Sequence, residues 1–209
     1  MLACISLRKS FFDLLRPTIQ DITLDIGAMI NPNIATQSIP IKTDVVAERI
    51  LDINPKLNLK KINEFLEPER MEKILTQEKF DYVLDCIDSL SPKLALIITC
   101  KRKKIKLVSA MGAGGKTDPS KVMVRDISKT NNCFLAKQIR KKLKKEQIHK
   151  GFRCVFSTEI QDENSLKMTD GSNYKKSFYG TISYMPAIFG LYAAAEVIRF
   201  LLKKKQNEA

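Results

Sequence analysis

Histidine is nearly absent from this chain, and its cysteines form no paired motif. His149 is the only histidine, so neither a histidine-dependent catalytic triad nor a histidine-rich metal site can be built. The five cysteines are odd in number, widely spaced and without a CxxC pair, which argues against a disulfide framework or a cysteine-rich zinc site. We therefore expect a reducing, cytoplasmic location.

The chain also lacks a long hydrophobic run. The segment from Met1 to Thr18 is apolar only in short pieces that charged residues interrupt, unlike a secretion signal. The longest apolar run extends from Met185 to Ala195, whereas a membrane-spanning helix needs roughly 20 apolar residues. This run predicts a core or interface helix, with peripheral membrane contact as the alternative.

Charge is strongly unbalanced. The 209 residues have a formal net charge of +13, which favours a polyanionic partner, either nucleic acid or an acidic membrane surface. A hydrophobic fraction of 44% with 28% charged residues is typical of a folded protein. The length favours one domain with a small appendage.

Short apolar or β-branched segments alternate with segments of helical periodicity in the first half of the chain. The predicted strands are Asp21 to Leu24, Leu57 to Ile62, Tyr82 to Cys86 and Ile105 to Ser109. The predicted helices are Thr43 to Ile53, Glu69 to Leu75 and Lys93 to Lys101. This alternation is typical of an α/β fold with a Rossmann-like, doubly wound, mostly parallel sheet.

The pattern changes after Gly112. The later segments predict strands at Lys121 to Ile127 and Arg153 to Ser157, a basic helix at Phe134 to Lys145, a polar loop at Gln161 to Lys176, and a long helix at Thr181 to Lys205 that Pro186 interrupts. We divide the chain into an atypical segment at 1–20, an α/β domain at 21–159, and a loop with a terminal helix at 160–209.

The segment DYVLDCIDSLSPK, from Asp81 to Lys93, combines a buried strand with carboxylates and a following helix start. Ligands bind at the carboxyl ends of strands in open α/β sheets. Asp85 and Asp88 there could hold Mg²⁺, and Lys93 could meet a phosphate. The alternative is that both aspartates only end the strand and cap the helix.

A glycine-rich turn follows the next strand in VSAMGAGGKTDP. Gly112, Gly114 and Gly115 could line the same crevice, because glycine permits close approach of the backbone. The spacing matches neither the Rossmann nor the P-loop fingerprint, and no helix follows directly. A purely structural turn is the alternative.

These motifs occur together in a fixed order. From Val45 to Glu159 the chain contains VAERILDINP, YVLDCIDSLSPK, VSAMGAGGKTDPSKV, DISKT and CVFSTE. This series resembles the tRNA threonylcarbamoyladenosine dehydratases of the adenylating superfamily that includes the ubiquitin-activating enzymes. The resemblance implies an enzyme that uses ATP to activate the carboxylate of threonylcarbamoyladenosine in tRNA, and then closes it into a cyclic product with loss of AMP.

The resemblance also implies roles for individual residues. Asp88 matches the family aspartate that handles Mg²⁺ and the ATP phosphates, and Lys42 matches a phosphate-contacting lysine. Asn31 and Asp25 match an asparagine of the nucleotide site and the aspartate that holds the ribose hydroxyls. A homodimer is the usual state of the superfamily. Related sulfur-transfer enzymes use a cysteine persulfide or thioester, which would imply a sulfur-transfer partner protein and Cys154 as the candidate thiol. The default interpretation of Cys154 is a small buried cysteine.

The first 41 residues depart from this family pattern. They contain no GxGGVGS-like turn for phosphate, and Pro32 stands where an arginine is expected. We expect an amino-terminally truncated or decayed member with impaired ATP binding. The alternatives are a non-catalytic remnant that keeps an RNA-binding or dimerising surface and, more remotely, an activator of a sulfur-carrier protein.

The basic helix is the predicted RNA contact. Its cations could neutralise tRNA phosphates, although a solvated surface helix is the simpler interpretation. The residues assigned to RNA are Arg140, Lys141, Lys142, Lys144 and Lys145.

Overall fold

The computed structural model of the protein describes residues 42–64, 66–77, 79–168 and 177–208. Several predictions lie outside these residues, namely the segment 1–20, the strand from Asp21 to Leu24, and the nucleotide ligands Asp25 and Asn31. Lys42 is the first residue of the first described helix.

The described chain forms five α-helices and six strands. The helices are α1 (Lys42–Ile53), α2 (Pro68–Gln77), α3 (Leu90–Arg102), α4 (Phe134–Lys145) and α5 (Tyr184–Glu208). The strands are β1 (Val83–Asp85), β2 (Leu107–Ala110), β3 (Val122–Asp126), β4 (Arg153–Ser157), β5 (Leu166–Met168) and β6 (Ser177–Tyr179).

Four strands form the main sheet in the order β1-β2-β4-β3. The pairs β1–β2 and β2–β4 are parallel, and β3 runs antiparallel to β4 at one edge. The register aligns Asp85 with Ser109, so the carboxyl ends of β1 and β2 lie side by side. The mostly parallel sheet predicted from the sequence is confirmed.

Helices cover both faces of the sheet. Since successive residues of a strand point to opposite sides, one strand contributes to the cores on both faces. In β4, Cys154 and Phe156 join the core beneath α2, α3 and α4. Val155, between them, packs into a second core beneath α5. Helices on both faces make the sheet doubly wound, as predicted.

Helix α5 covers one face of the sheet along its length. Its buried residues recur every fourth position, which places them on one side of the helix: Met185, Phe189, Ala193, Val197 and Leu201. The predicted interruption at Pro186 is wrong. Pro186 is the third residue of α5, within the first turn, where backbone N–H groups have no intrahelical partner to lose.

By length and composition alone, the segment Tyr184–Asn207 of α5 is also apolar enough to cross a membrane. One side of the helix packs against the sheet, but only 28% of the apolar segment is buried, and Leu191, Tyr192 and Leu202 are exposed. Peripheral membrane contact stays a prediction.

Two other predicted elements differ from the structure. Residues 57–62 were predicted as a strand but form none. Their alternating side chains resemble those of a strand, but a strand also needs a neighbouring strand for its backbone hydrogen bonds, and no strand of the described chain lies beside them. The predicted loop from Gln161 to Lys176 contains β5, which pairs with β6 in a two-stranded sheet.

Helices α3 and α4 end in the same backbone motif. In α3 the N–H of Ile105 donates to the carbonyl oxygen of Cys100 at 2.8 Å, and Lys104 between them has φ 57°. Gln147 occupies the equivalent position after α4, also with φ 57°. Glycine usually fills this position, because a side chain is strained in the left-handed region.

We predict that Lys104→Gly and Gln147→Gly each stabilise the protein by up to about 1 kcal/mol, because glycine removes the strain at a cost in chain entropy. Lys103→Gly is the control, since Lys103 has φ −85° and its substitution should destabilise. Denaturant unfolding of the three variants measures the difference, and equal effects would contradict the prediction.

Candidate active site

The carboxyl ends of β1 and β2 and the loops that follow them form one edge of the sheet. β1 ends at Asp85, and the loop 86–89 leads directly into α3. β2 ends at Ala110, and the glycine-rich turn follows. The topology therefore brings the two predicted site segments to the same edge.

A buried polar cluster joins these elements. The Lys93 ammonium donates to Asp85 Oδ2 at 2.7 Å and to Ser109 Oγ at 3.1 Å, and Ser109 Oγ donates to Asp85 Oδ2 at 2.5 Å. The second carboxylate oxygen of Asp85 accepts the N–H of Ile87 at 2.9 Å. The side chains of Lys93 and Asp85 are both fully buried. The cluster ties β1, β2 and the first turn of α3 together.

This arrangement corrects two roles predicted from the sequence. Lys93 is fully buried and its ammonium binds Asp85 and Ser109, so it has no exposed surface with which to meet a phosphate. Asp85 is likewise buried and satisfied within the protein, which leaves it unable to reach a bound metal. Both residues position the loop instead.

Asp88 is exposed in that loop. The N-cap of α3 is Ser89, so Asp88 precedes the cap by one residue. The cap position that the helix-capping alternative predicted for Asp88 is therefore occupied by Ser89. Its carboxylate is the exposed acidic group nearest in sequence to the positive end of α3.

The glycine-rich turn packs against the segment around β5 and β6. A Cβ on Gly114 would lie 2.8 Å from Tyr179 Cβ and 3.0 Å from its carbonyl oxygen. Gly115 has φ +69°, and its N–H donates to the carbonyl oxygen of Gly180 at 2.7 Å. Close packing explains these two glycines without a ligand. Gly112 differs, since its nearest neighbour would be Leu135 Cβ at 3.9 Å.

Lys116, directly after the glycine-rich turn, is a buried lysine whose role the sequence analysis did not identify. Its side chain is buried, and its ammonium donates to the carbonyl oxygens of Ser157 and Glu159 at 2.8 Å and of Asn132 at 3.3 Å. Burial lowers the pKa of Lys116. In the sequence, the only local indication that Lys116 has a special role is its position directly after two glycines. Its carbonyl partners come from segments that the local pattern does not connect to it.

Comparison with known proteins identifies the family of this chain. The model of the ThiF family matches residues 36–209. The chain belongs to the ThiF family. Its similar relatives include the tRNA threonylcarbamoyladenosine dehydratases of Haemophilus influenzae, 35% identical over 79% of this chain and 67% of the relative, and of Escherichia coli, 33% identical over 80% and 68%.

Solved structures of the Escherichia coli dehydratase are also similar to this chain. The crystal structure in complex with ATP has a TM-score of 0.68 and 33% sequence identity, covering 80% of this chain and 66% of that one. A second crystal structure of the same protein is in complex with AMP, with a TM-score of 0.67. The present chain thus spans about two thirds of the length of these relatives.

Two thiols of this ThiF-family chain, Cys86 and Cys154, are poorly suited to nucleophilic chemistry. Cys86 is exposed, but desolvation by the surrounding loop, together with the nearby Asp85 carboxylate, raises its pKa to about 11. Cys154 is fully buried, and burial raises its pKa well above the ordinary value. Both thiols therefore stay protonated at neutral pH.

The basic helix α4 presents its cations to solvent. Its buried face consists of Ala136, Ile139 and Leu143, and the predicted RNA contacts Lys141, Lys142, Lys144 and Lys145 are exposed. Arg140 is half-buried and donates to the hydroxyl of Thr130. The RNA role of this helix stays a prediction.

We predict that Lys93→Met destabilises the protein by about 3–5 kcal/mol, because it leaves a buried carboxylate without its counter-ion. The matched control is Lys61→Met, which removes an exposed ion pair to Asp44 of 2.6 Å and should cost less than about 1 kcal/mol. Adding Asp85→Asn to Lys93→Met should recover part of the loss. Equal unfolding free energies for the two single variants would refute a structural role for Lys93.

We predict that Gly114→Ala destabilises the protein by about 1–3 kcal/mol, because the added methyl group collides with the backbone at Tyr179. Gly112→Ala is the control and should change stability by less than about 0.5 kcal/mol. Thermal unfolding of both variants is the measurement. A neutral Gly114→Ala would show that the turn does not depend on this contact.

Proposed function

We propose that this chain catalyses the ATP-dependent dehydration of threonylcarbamoyladenosine in tRNA through an acyl-adenylate. The names of its relatives and the ATP complex of one of them support the reaction class. The single observation that carries the proposal is the exposed Asp88, held at the carboxyl edge of the sheet by the buried cluster of Asp85, Lys93 and Ser109.

The proposed chemistry has two steps. The substrate carboxylate attacks the α-phosphorus of ATP, the bond to the departing pyrophosphate breaks, and an acyl-adenylate forms. The carbamoyl oxygen of the same substrate then attacks the acyl carbon, the bond to AMP breaks, and the carbamoyl nitrogen loses a proton to solvent. ATP is thus converted to AMP and pyrophosphate, which together contain the water that the nucleoside loses. The net change in the nucleoside is a dehydration.

The residues present are compatible with Mg²⁺. The described residues contain no group of three or more metal-binding side chains, and the carboxylate that we assign to the metal is that of Asp88. Mg²⁺ in nucleotide sites is commonly held by one or two carboxylates together with phosphates and water. When bound, it would neutralise charge on the ATP phosphates. Lys42, Asp25 and Asn31 stay the proposed ligands of the nucleotide.

A non-catalytic role is the second candidate. The observation that favours it is the first 41 residues, where no GxGGVGS-like turn occurs and Pro32 replaces the expected arginine. Such a protein would keep its RNA-binding or dimerising surface without turnover. Activation of a sulfur carrier has less support, because the raised thiol pKa values of Cys86 and Cys154 disfavour a thiolate. The homodimer and the cytoplasmic location stay predictions.

We predict that Asp88 carries the metal-dependent activity in a chimera that carries Pro32→Arg and has residues 1–20 replaced by a glycine-rich GxGGVGS-type segment. Given ATP, Mg²⁺ and tRNA carrying threonylcarbamoyladenosine, the chimera should form the cyclic nucleoside. Asp88→Asn should lower the rate by about 100-fold or more, because the amide loses the charge that holds Mg²⁺. Mass spectrometry of digested tRNA measures the product.

Asp52→Asn is the control for that experiment, since Asp52 is an exposed acid on α1. It should turn over like the parent chimera. Thermal unfolding of the chimera with Asp88→Asn, measured in parallel, separates lost chemistry from lost folding. A chimera with Asp88→Asn that turns over like its parent would remove the metal role of Asp88.

A further inference from the structure

A cavity of about 370 Å³ lies at the opposite edge of the sheet from Asp88. It opens where β2 and β4 begin, at Leu107 and Arg153, beside the turn that ends α3. Its apolar lining includes Tyr82, Leu107 and Phe152, which are buried. The proposed nucleotide site lies where these parallel strands end, so the two sites face different directions.

Cations surround this cavity. Residues 101–106 read KRKKIK, with a positive charge at every position except Ile105, and Lys101, Lys104 and Lys106 belong to the lining. Lys103, Lys104 and Lys106 are exposed, and no carboxylate of the described chain forms a salt bridge with them. We call residues 101–106 the basic turn.

The remaining charges of the cavity are already satisfied within the protein. Arg153 pairs with Glu196 at 3.0 Å. Asp126, the acidic residue in the lining, accepts the N–H groups of Ser128 at 3.0 Å and Gly151 at 2.8 Å. The Lys101 ammonium donates to the Gly151 carbonyl oxygen at 3.0 Å. Within the basic turn, Lys103, Lys104 and Lys106 therefore present positive charge that no carboxylate of the described chain neutralises, although the Lys106 ammonium lies 6.0 Å from the centroid of the Phe200 ring.

The basic turn is continuous with helix α4. Arg102 forms a salt bridge of 2.8 Å with Glu146, the residue that caps the carboxyl end of α4. Lys144 and Lys145, in the last turn of that helix, are exposed at the same end. The two helix ends thus form one strip of cations that begins at the cavity.

We propose that the basic turn and its cavity bind the phosphodiester backbone of RNA, as a contact separate from the nucleotide crevice. Lysines spaced along a strip can neutralise successive phosphates. None of the lining residues is an exposed large hydrophobic side chain of the kind that inserts into a bilayer, which favours RNA over an acidic membrane. The inference rests on the proposed function for the choice of tRNA as the partner.

The first test compares two variants of the full chain that change net charge equally. One carries Lys103→Glu, Lys104→Glu and Lys106→Glu, and the control carries reversals at the exposed residues Lys56, Lys73 and Lys79. Fluorescence anisotropy with an unmodified tRNA transcript, without ATP, gives affinity over a range of KCl concentrations. The basic-turn variant should bind about tenfold or more weakly, and its salt slope should be shallower by about 0.7–0.9 for each phosphate that is no longer neutralised.

The second test separates charge from folding. Lys104→Gly and Gln147→Gly relieve the same backbone strain, but only the first removes a cation. Lys104→Gly should weaken tRNA binding several-fold while its thermal stability rises, and Gln147→Gly should bind like the unchanged protein. Equal binding by both glycine variants would overturn the proposal.

Other outcomes also decide the question. Equal losses in the two triple variants would overturn the proposal by showing a general charge effect, as would no loss in either. Weaker binding to phosphatidylserine vesicles with tRNA binding unchanged would overturn it in favour of a membrane. Because the assay needs neither ATP nor turnover, a failure of the proposed dehydratase activity would leave this result unaffected.

Discussion

The buried ion pair of Asp85 and Lys93 is the constraint on which the candidate site depends. Removing a carboxylate and an ammonium from water costs several kcal/mol for each ion, and only close bonding offsets that cost. Here Ser109 and the N–H of Ile87 supply the additional hydrogen bonds. Since the partners belong to β1, β2 and α3, the loop that carries Asp88 has its start and its end fixed by one set of interactions.

The secondary structure was largely predictable because it depends on local patterns. The apolar spacing of α4 and the apolar run of β4 gave their bounds as observed, Phe134–Lys145 and Arg153–Ser157. Side-chain partners were not predictable in this way. The Lys93 side chain points into the protein, where it bonds Ser109, and the glycine-rich turn packs against Tyr179. Both partners are distant in sequence. The error at residues 57–62 has the same origin, because strand pairing is not a local property.

The two edges of the sheet carry opposite electrostatic character. An exposed carboxylate follows the end of β1, whereas the exposed lysines of the basic turn lie where β2 begins. The five residues of β4 span about 16 Å, longer than the Debye length of about 8 Å at physiological salt. Charges at one edge are therefore largely screened from those at the other, so a bound polyanion need not disturb the carboxylate proposed to bind the metal.

The position of α5 along the chain bears on how the protein is made. Every strand that α5 covers is synthesised before it, and Tyr82 packs edge-on against Phe200 across a long stretch of chain. While α5 is still inside the ribosome, Val108, Val122 and Val155 have no apolar cover on their side of the sheet. The emerging chain carries this apolar surface until α5 leaves the ribosome, which makes it a natural substrate for chaperones that bind nascent polypeptides.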